Sequence, residues 1–180
     1  MSLDQLIHKC KSNDTKAQSE LYQLFSSKLF SVSLKYSRSY AEAEDNLQDA
    51  FLTIFDKIKQ YKNKGSFEGW LKRITINIAL QRYRNQKVFD IVNEDALVDD
   101  TIEIDDDEVD IDFLLQCIQK LPDRYRLVFN LYALDGYSHK EIAQALAITT
   151  GTTKSNLARA RKLLKEKILD YKKSLNAQSL

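Results

Sequence analysis

The sequence predicts an all-α chain arranged as two small helical domains, and three observations carry that prediction. Apolar residues recur at spacings of three and four along most of the length, and no stretch shows the alternation of a half-buried strand. Four glycines and one proline punctuate 180 residues, so breaks are few and the runs between them are long enough for helices. Charge then divides the chain into three. Residues 1–88 carry 15 basic and 9 acidic side chains, a net of +6; residues 89–112 carry 12 acidic and no basic, a net of −12; residues 113–180 carry 12 basic and 5 acidic, a net of +7. The overall net of +1 hides this pattern. Two basic modules, 1–88 and 113–180, flank an acidic, solvated linker at 89–112, and two cationic modules in one chain imply a polyanion met at two places.

Composition sets outer limits. An apolar content of 43% with 29% charged residues is that of a soluble globular chain. The N-terminus lacks an apolar core segment and no apolar run approaches 18 residues, so neither a signal peptide nor a membrane span is expected, and a cytoplasmic location is. Cys10 and Cys117 lie far apart with no partner spacing, which predicts reduced thiols and no metal site. His8 and His139 have no ligand companions either and are expected on the surface. No cofactor is implied.

The elements follow in order. Leu3 to Lys11 reads as a short helix, and Asp14 or Thr15 starts a longer one with Ala17, Leu21, Leu24, Phe25, Leu29 and Val32 as its buried stripe. From about Ala41 to Gln60 a third helix buries Ala43, Leu47, Ala50, Phe51, Ile54 and Ile58. Its other face presents Asp45, Gln48, Asp49, Leu52 and Asp56. An apolar Leu52 among carboxylates suits docking to a basic protein partner, and phosphates would be repelled there. Gly65 and Gly69 flank a break. The helix beyond it has Phe67, Trp70, Leu71, Ile74 and Ile78 on its apolar side, with Lys72, Arg73, Arg82, Arg84 and Lys87 around them. Aromatics interleaved with cations suit stacking of unpaired bases against a held backbone, although Phe67 and Trp70 also read as core. Asn77, beside the stripe, carries an amide able to read a base edge.

In the linker, DDTIEIDDDEVDID lacks both the spacing of a calcium loop and a bracketing histidine, so a solvated segment is expected rather than a metal site. Pro122 suits the first turn of a helix. The last motif runs from Leu134 to Leu164. Gly136 marks the turn before it, and SHKE is a capping box in which Ser138 and Glu141 satisfy each other's amides. Ile142, Ala143 and Leu146 form the first helix's apolar face, a turn follows at Ala147 to Thr149, and a second helix starts at Thr149 or Thr150. Its buried stripe is Thr153, Leu157, Ala160 and Leu164. Thr152, Ser155, Arg159 and Lys162 gather opposite, with Lys154, Arg161 and Lys165 on one flank. Two short helices with a basic second one make a DNA-reading arrangement, in which Arg, Ser and Thr meet base edges and flanking cations meet phosphates.

The run AEAEDNLQDAFLTIF, then GSFEGWLKRITINIALQRYR, then KLPDRYRLVFNLYALDGYSHKEIAQALAITTGTTKSNLARARKLL resembles bacterial RNA polymerase sigma factors of the extracytoplasmic-function (ECF) group. The resemblance implies that residues 1–88 form sigma region 2 and residues 113–180 sigma region 4. It implies core RNA polymerase as partner, through the β′ clamp helices and the β flap, with Asp45, Gln48, Asp49 and Leu52 on the docking face. Promoter DNA is implied at two elements. Trp70, Arg73, Asn77 and Arg84 would recognise and help melt the −10 element, Asn77 at the position of a flipped base. Thr152, Lys154, Ser155, Arg159 and Lys162 would serve the −35 element. Asn156, where many relatives carry a cation, and Thr153, where an aliphatic residue is common, depart from the pattern. An anti-sigma factor is a partner of many relatives. The protein implied is not an enzyme, since the phosphoryl chemistry belongs to the polymerase.

Two other readings of the residues stand beside this one. A stand-alone helix-turn-helix regulator needs neither the Asp45 to Leu52 face nor the Trp70 helix, and no evident dimerisation helix follows Leu164. A metal-dependent nucleic-acid enzyme lacks ligand spacing. The linker also carries a hypothesis, that its carboxylates compete with nucleic acid for the basic modules. Neutralising Asp105, Asp106, Asp107 and Glu108 is then expected to raise DNA affinity of the isolated protein in a titration, and an affinity unchanged at every salt concentration would refute it.

Overall fold

A computed structural model of the chain describes residues 1–86 and 109–178. Every regular element among them is helical. Helix α1 spans Leu3–Lys11, α2 Thr15–Tyr36, α3 Tyr40–Lys57 with a 3₁₀ turn at Ile58–Gln60, and α4 Phe67–Asn85. Beyond the linker come α5 at Ile111–Gln119, α6 at Asp123–Phe129 leading into a π turn at Asn130–Leu134, α7 at His139–Leu146 and α8 at Thr150–Gln178. The chain divides into two units, Met1–Asn85 and Gln86–Leu180.

In the first unit, side chains ahead of each helix take up amides that the helix cannot pair itself. Asp14 Oδ1 accepts from Lys16 N at 2.9 Å and Ala17 N at 3.1 Å. Ser39 Oγ accepts from Glu42 N and Ser66 Oγ from Gly69 N. Gly69 therefore lies inside the first turn of α4 rather than beside the break, and a Cβ there would stand 2.8 Å from the capping Ser66 Oγ. Gly65, at φ +84°, is the residue that turns the chain.

Helix α2 packs on both α3 and α4. Leu21, Phe25 and Leu29 meet Leu47, Phe51, Ile54, Phe67 and Leu71 in one core, closed at one end by Leu6, Ile7 and Cys10 of α1. Leu24, expected in this stripe, is 56% exposed because it lies on the stripe's flank. Helix α4 is gripped from two sides, so its buried set is wider than one apolar stripe. Thr75, Ile76, Ala79, Leu80 and Tyr83 join Phe67 and Leu71, whereas Trp70, Ile74 and Ile78 are half-buried. Asn46, fully buried, donates to Ser37 Oγ at 2.8 Å, and that hydroxyl donates on to Ser33 O at 2.7 Å.

In the second unit Cys117, Ile118, Leu121 and Tyr125 pack against Ala160 and Leu164. Arg126, 4% exposed, closes the α5–α6 corner with Nη2 on Asp123 Oδ1 at 3.0 Å and Nη1 on Gln119 O at 3.2 Å. A buried guanidinium needs such partners to offset its desolvation. The capping box forms as expected: Ser138 N donates to Glu141 Oε2 at 2.9 Å and Glu141 N to Ser138 Oγ at 3.3 Å. Helix α8 continues well past Leu164, burying Ile168 and stacking Tyr171 on Phe113 of α5, ring centroids 3.9 Å apart. Its C-terminal half thus packs back onto its own unit. Both cysteines are buried and free, and burial together with Asp14 and Glu20 raises the pKa of the Cys10 thiol.

Glu68, in the first turn of α4, holds two cations: Lys72 Nζ at 2.8 Å and Lys28 Nζ of α2 at 2.9 Å. Their hydrogen bonds, Lys72's first, pull its carboxyl from 4.5 down to about 2. A depressed carboxyl contributes stability that is present above its unfolded pKa and is lost as pH falls through the folded one. Glu68→Gln is therefore expected to flatten the acid limb of stability between pH 4.5 and about 2 and to lower the neutral plateau by the same amount, read as the urea midpoint against pH, an amount kept small because the pair is open to solvent.

Candidate nucleic-acid interface

The turn between α7 and α8 decides how the last helix is presented. Ala147 ends α7 at φ +56°, a left-handed conformation more usual for glycine, and Ile148 N returns to Ala143 O at 3.0 Å. Thr149 then caps α8, its Oγ1 accepting from Thr152 N at 3.1 Å. Thr152 is thereby drawn inward. It is 5% exposed with its hydroxyl 2.9 Å from that of Thr149, so it belongs to the cap and not to the outer face where helical spacing put it. Thr153 is fully buried, as expected, and donates to Thr150 O at 2.8 Å.

His139 departs from the expected surface position. It is half-buried, stacks on Tyr132 at 4.7 Å, and its Nδ1 lies 2.9 Å from Thr153 Oγ1. Because that hydroxyl already donates to Thr150, the assigned tautomer carries its proton on Nδ1. The contact ties α7 to the first turn of α8. His8 is exposed.

The outward face of α8 brings together Lys154, Ser155, Arg159 and Lys162. Lys154 and Lys162 are exposed, and so is the flanking Arg161, whose guanidinium lies 5.8 Å from the Tyr132 ring centre. Ser155, half-buried, donates to Thr152 O at 3.1 Å. Arg159 is half-buried too, with Nη1 3.4 Å from Tyr125 Oη. Burial raises the Tyr125 phenol, but hydrogen bonds and charge from Arg159 and Arg124 outweigh it and leave its pKa lowered. Asn156, 5% exposed, lies off this face.

On α4, Trp70, Arg73, Asn77 and Arg84 fall at i, i+3, i+7 and i+14, one line along the helix. Arg73, Asn77 and Arg84 are exposed. Trp70 has one side on the core, stacked on Phe67 at 5.7 Å and tilted against Tyr61 at 5.4 Å, and is partly open on the other. It is both core and surface.

On α3, Asp45, Gln48, Asp49 and Leu52 are all exposed, Leu52 at 64%. Asp49 is engaged: its Oδ2 takes Arg82 Nη2 of α4 at 2.9 Å. Beside Gln48 and Leu52 lies a groove of about 620 Å³ between α2 and α3, lined also by Tyr22, Phe30, Tyr40 and Phe55. Helical spacing within α3 could not reveal it, because α2 supplies one wall; the exposed aromatic Tyr22 is its trace in the sequence.

Among the described residues no cluster of His, Cys, Asp and Glu is grouped to hold a metal ion. The carboxylates Asp105 to Glu108 lie outside the described residues. No helix among the described residues is long and apolar enough to cross a membrane.

The family model for sigma-70 region 2 matches residues 21–88 and that for sigma-70 region 4 matches residues 113–164, together about two thirds of the chain. The chain is 27% identical to the ECF RNA polymerase sigma factor SigW of Bacillus subtilis, over 94% of this chain and 98% of that protein. It is 25% identical to the ECF RNA polymerase sigma-E factor of Haemophilus influenzae, over 91% of this chain and 93% of that one. Among solved structures, the sigma factor RpoE in complex with the anti-sigma factor NepR from Bartonella quintana shares the fold, with a TM-score of 0.51 at 23% identity over 82% of this chain and 94% of that chain. Two family segments in this order, spanning both helical units, place the chain in the sigma-70 family of RNA polymerase sigma factors, in its ECF group.

Proposed function

We propose how the work of an alternative sigma factor is divided among the residues of this chain. As a member of its family it binds core RNA polymerase and directs promoter recognition in transcription initiation. Sigma factors are DNA-binding initiation factors rather than classical enzymes, and we infer that no side chain here acts on a reacting bond. A cytoplasmic location follows from the polymerase partner. RpoE of Bartonella quintana is held by the anti-sigma factor NepR, and we extend that class of partner to this chain.

Residues 1–88 dock the polymerase and open the −10 element, residues 89–112 link, and residues 113–180 grip the −35 element. One observation supports this reading above the others: Asp45, Gln48, Asp49 and Leu52 stand exposed together on α3, whereas Arg73 and Arg84 are exposed on one line of α4 and Lys154, Arg161 and Lys162 on α8. Asp45 and Gln48 flank Leu52, whose side chain and adjoining groove suit an amphipathic basic helix such as those of the β′ clamp. Asp49 docks in exchange for its present partner Arg82. Trp70 offers a partly open aromatic face to an unstacked base, Asn77 reads a base edge, and Arg73 and Arg84 hold phosphates. Lys154 and Lys162 take phosphates at the −35 element, where Ser155 and Arg159 face base edges, and the second unit offers the β flap its contact.

Joint replacement of Asp45 and Gln48 by Ala is expected to weaken retention of core polymerase by about tenfold, with binding of single-stranded −10 DNA unchanged; full retention in a pull-down refutes the docking assignment. Arg159→Ala is expected to cost about 1 to 3 kcal/mol of discrimination at one −35 position. Run-off transcription from promoters randomised across that element reads it, and an unaltered base preference throughout refutes the role of Arg159.

A further inference from the structure

Arg159 differs from the other cations of α8 in where its charge sits. Lys154, Arg161 and Lys162 are exposed, whereas Arg159 is half-buried and points its Nη1 at Tyr125 Oη, 3.4 Å away. Tyr125 comes from α6, 34 residues earlier. It is 9% exposed, its ring enclosed among Cys117, Ile118, Leu121, Ala160 and Leu164. A ring packed on so many sides has little rotamer freedom, so its oxygen is a fixed point on the surface of the unit. The same oxygen receives Arg124 Nη2 at 3.1 Å, and the Arg124 guanidinium lies 4.9 Å from the Tyr125 ring centre.

A phenol oxygen has acceptor capacity for two donors, and a guanidinium carries five N–H groups. The contact with Tyr125 orients Arg159 through one of those groups. Two guanidinium groups sharing one oxygen also repel each other, which confines each to its own side. A free arginine side chain has about 2 kcal/mol of rotamer entropy to lose on binding. Ordering Arg159 in advance removes part of that loss from the moment of DNA contact.

We propose that Tyr125 is a positioning residue for promoter recognition: its hydroxyl sets the direction of the Arg159 guanidinium, and through it the strength with which one −35 base is selected. This rests on the assignment of Arg159 to base readout. Tyr125 need not touch DNA, and the sequence motif of α8 gives no hint of it.

Tyr125→Phe deletes one oxygen and keeps the ring. In holoenzyme, with promoters carrying each base at the −35 position that Arg159→Ala identifies, the substitution is expected to reduce discrimination about three- to tenfold. The salt dependence of binding should stay the same, because no phosphate contact is lost. Adding Tyr125→Phe to Arg159→Ala should change nothing further. A general loss of stability would instead lower activity on all promoters alike. If Tyr125→Phe discriminates as the wild type does while Arg159→Ala does not, the positioning role is overturned and the assignment of Arg159 stands. If Arg159→Ala alters no base preference, both are overturned. A second measurement needs no substitution in the core: in NMR of the free protein the Arg159 guanidinium should be more ordered than that of exposed Arg73, and equal mobility overturns the proposal.

Discussion

The rotation of α8 about its own axis is the constraint on which the second unit depends. Thr153, Leu157, Ala160, Leu164 and Ile168 are each at most 5% exposed, one line along the helix. Burying a large aliphatic side chain is worth about 1.5 to 3 kcal/mol, whereas an exposed ion pair contributes about 0 to 1 kcal/mol. The stripe therefore decides the rotation and the cations follow. A turn of one residue would carry Lys154, Ala158, Arg161, Lys165 and Leu169 inward. Three cations would then lose their water at several kcal/mol each. That penalty leaves one setting, in which Ser155, Arg159 and Lys162 look outward whatever the rest of the surface does.

Helix α3 obeys the same rule, with Ala43, Leu47, Ala50, Phe51 and Ile54 inward and Asp45, Gln48 and Leu52 outward as a result. Helix α4 shows where it weakens. With α2 on one side and α3 on another, two faces are covered, and the polar Thr75 is buried because its hydroxyl donates to Leu71 O at 3.0 Å. A helix held this way exposes only a narrow line, and Arg73, Asn77 and Arg84 stand on it. The scarcity of exposed positions on α4 concentrates its readable chemistry.

Signals that act within a few residues are legible in the sequence, and those that need a distant partner are not. Helix starts at Thr15, His139 and Thr150 followed from Asp14, Ser138 and the threonine run, since a cap acts over three residues and needs nothing from elsewhere. The all-α class and the outward faces of α3 and α8 followed from periodicity. What stayed hidden was the identity of partners far away in sequence. Thr152 satisfied the helical spacing of an outer residue, yet the cap took its hydroxyl. His139 had no companions within reach along the chain; its partners Thr153 and Tyr132 arrive by the turn and by the π segment. Asn46 is buried on a bond to Ser37 Oγ that no spacing within α3 announces. The groove beside Leu52 needs two helices to exist.

The Asp49–Arg82 pair ties the α3 face to the α4 helix, and its magnitude limits what the tie achieves. The side chains are 51% and 34% exposed at 2.9 Å separation. A pair so open to solvent is worth up to about 1 kcal/mol, a factor of about five in an equilibrium. Were a partner's cation to claim Asp49, as proposed, Arg82 would gain at most that factor toward phosphate, and by reciprocity DNA at Arg82 would favour docking at Asp49 by no more. The bond is thus an exchangeable contact and not a lock. Any dependence of promoter binding on polymerase that exceeds about fivefold would have to arise from groups other than these two.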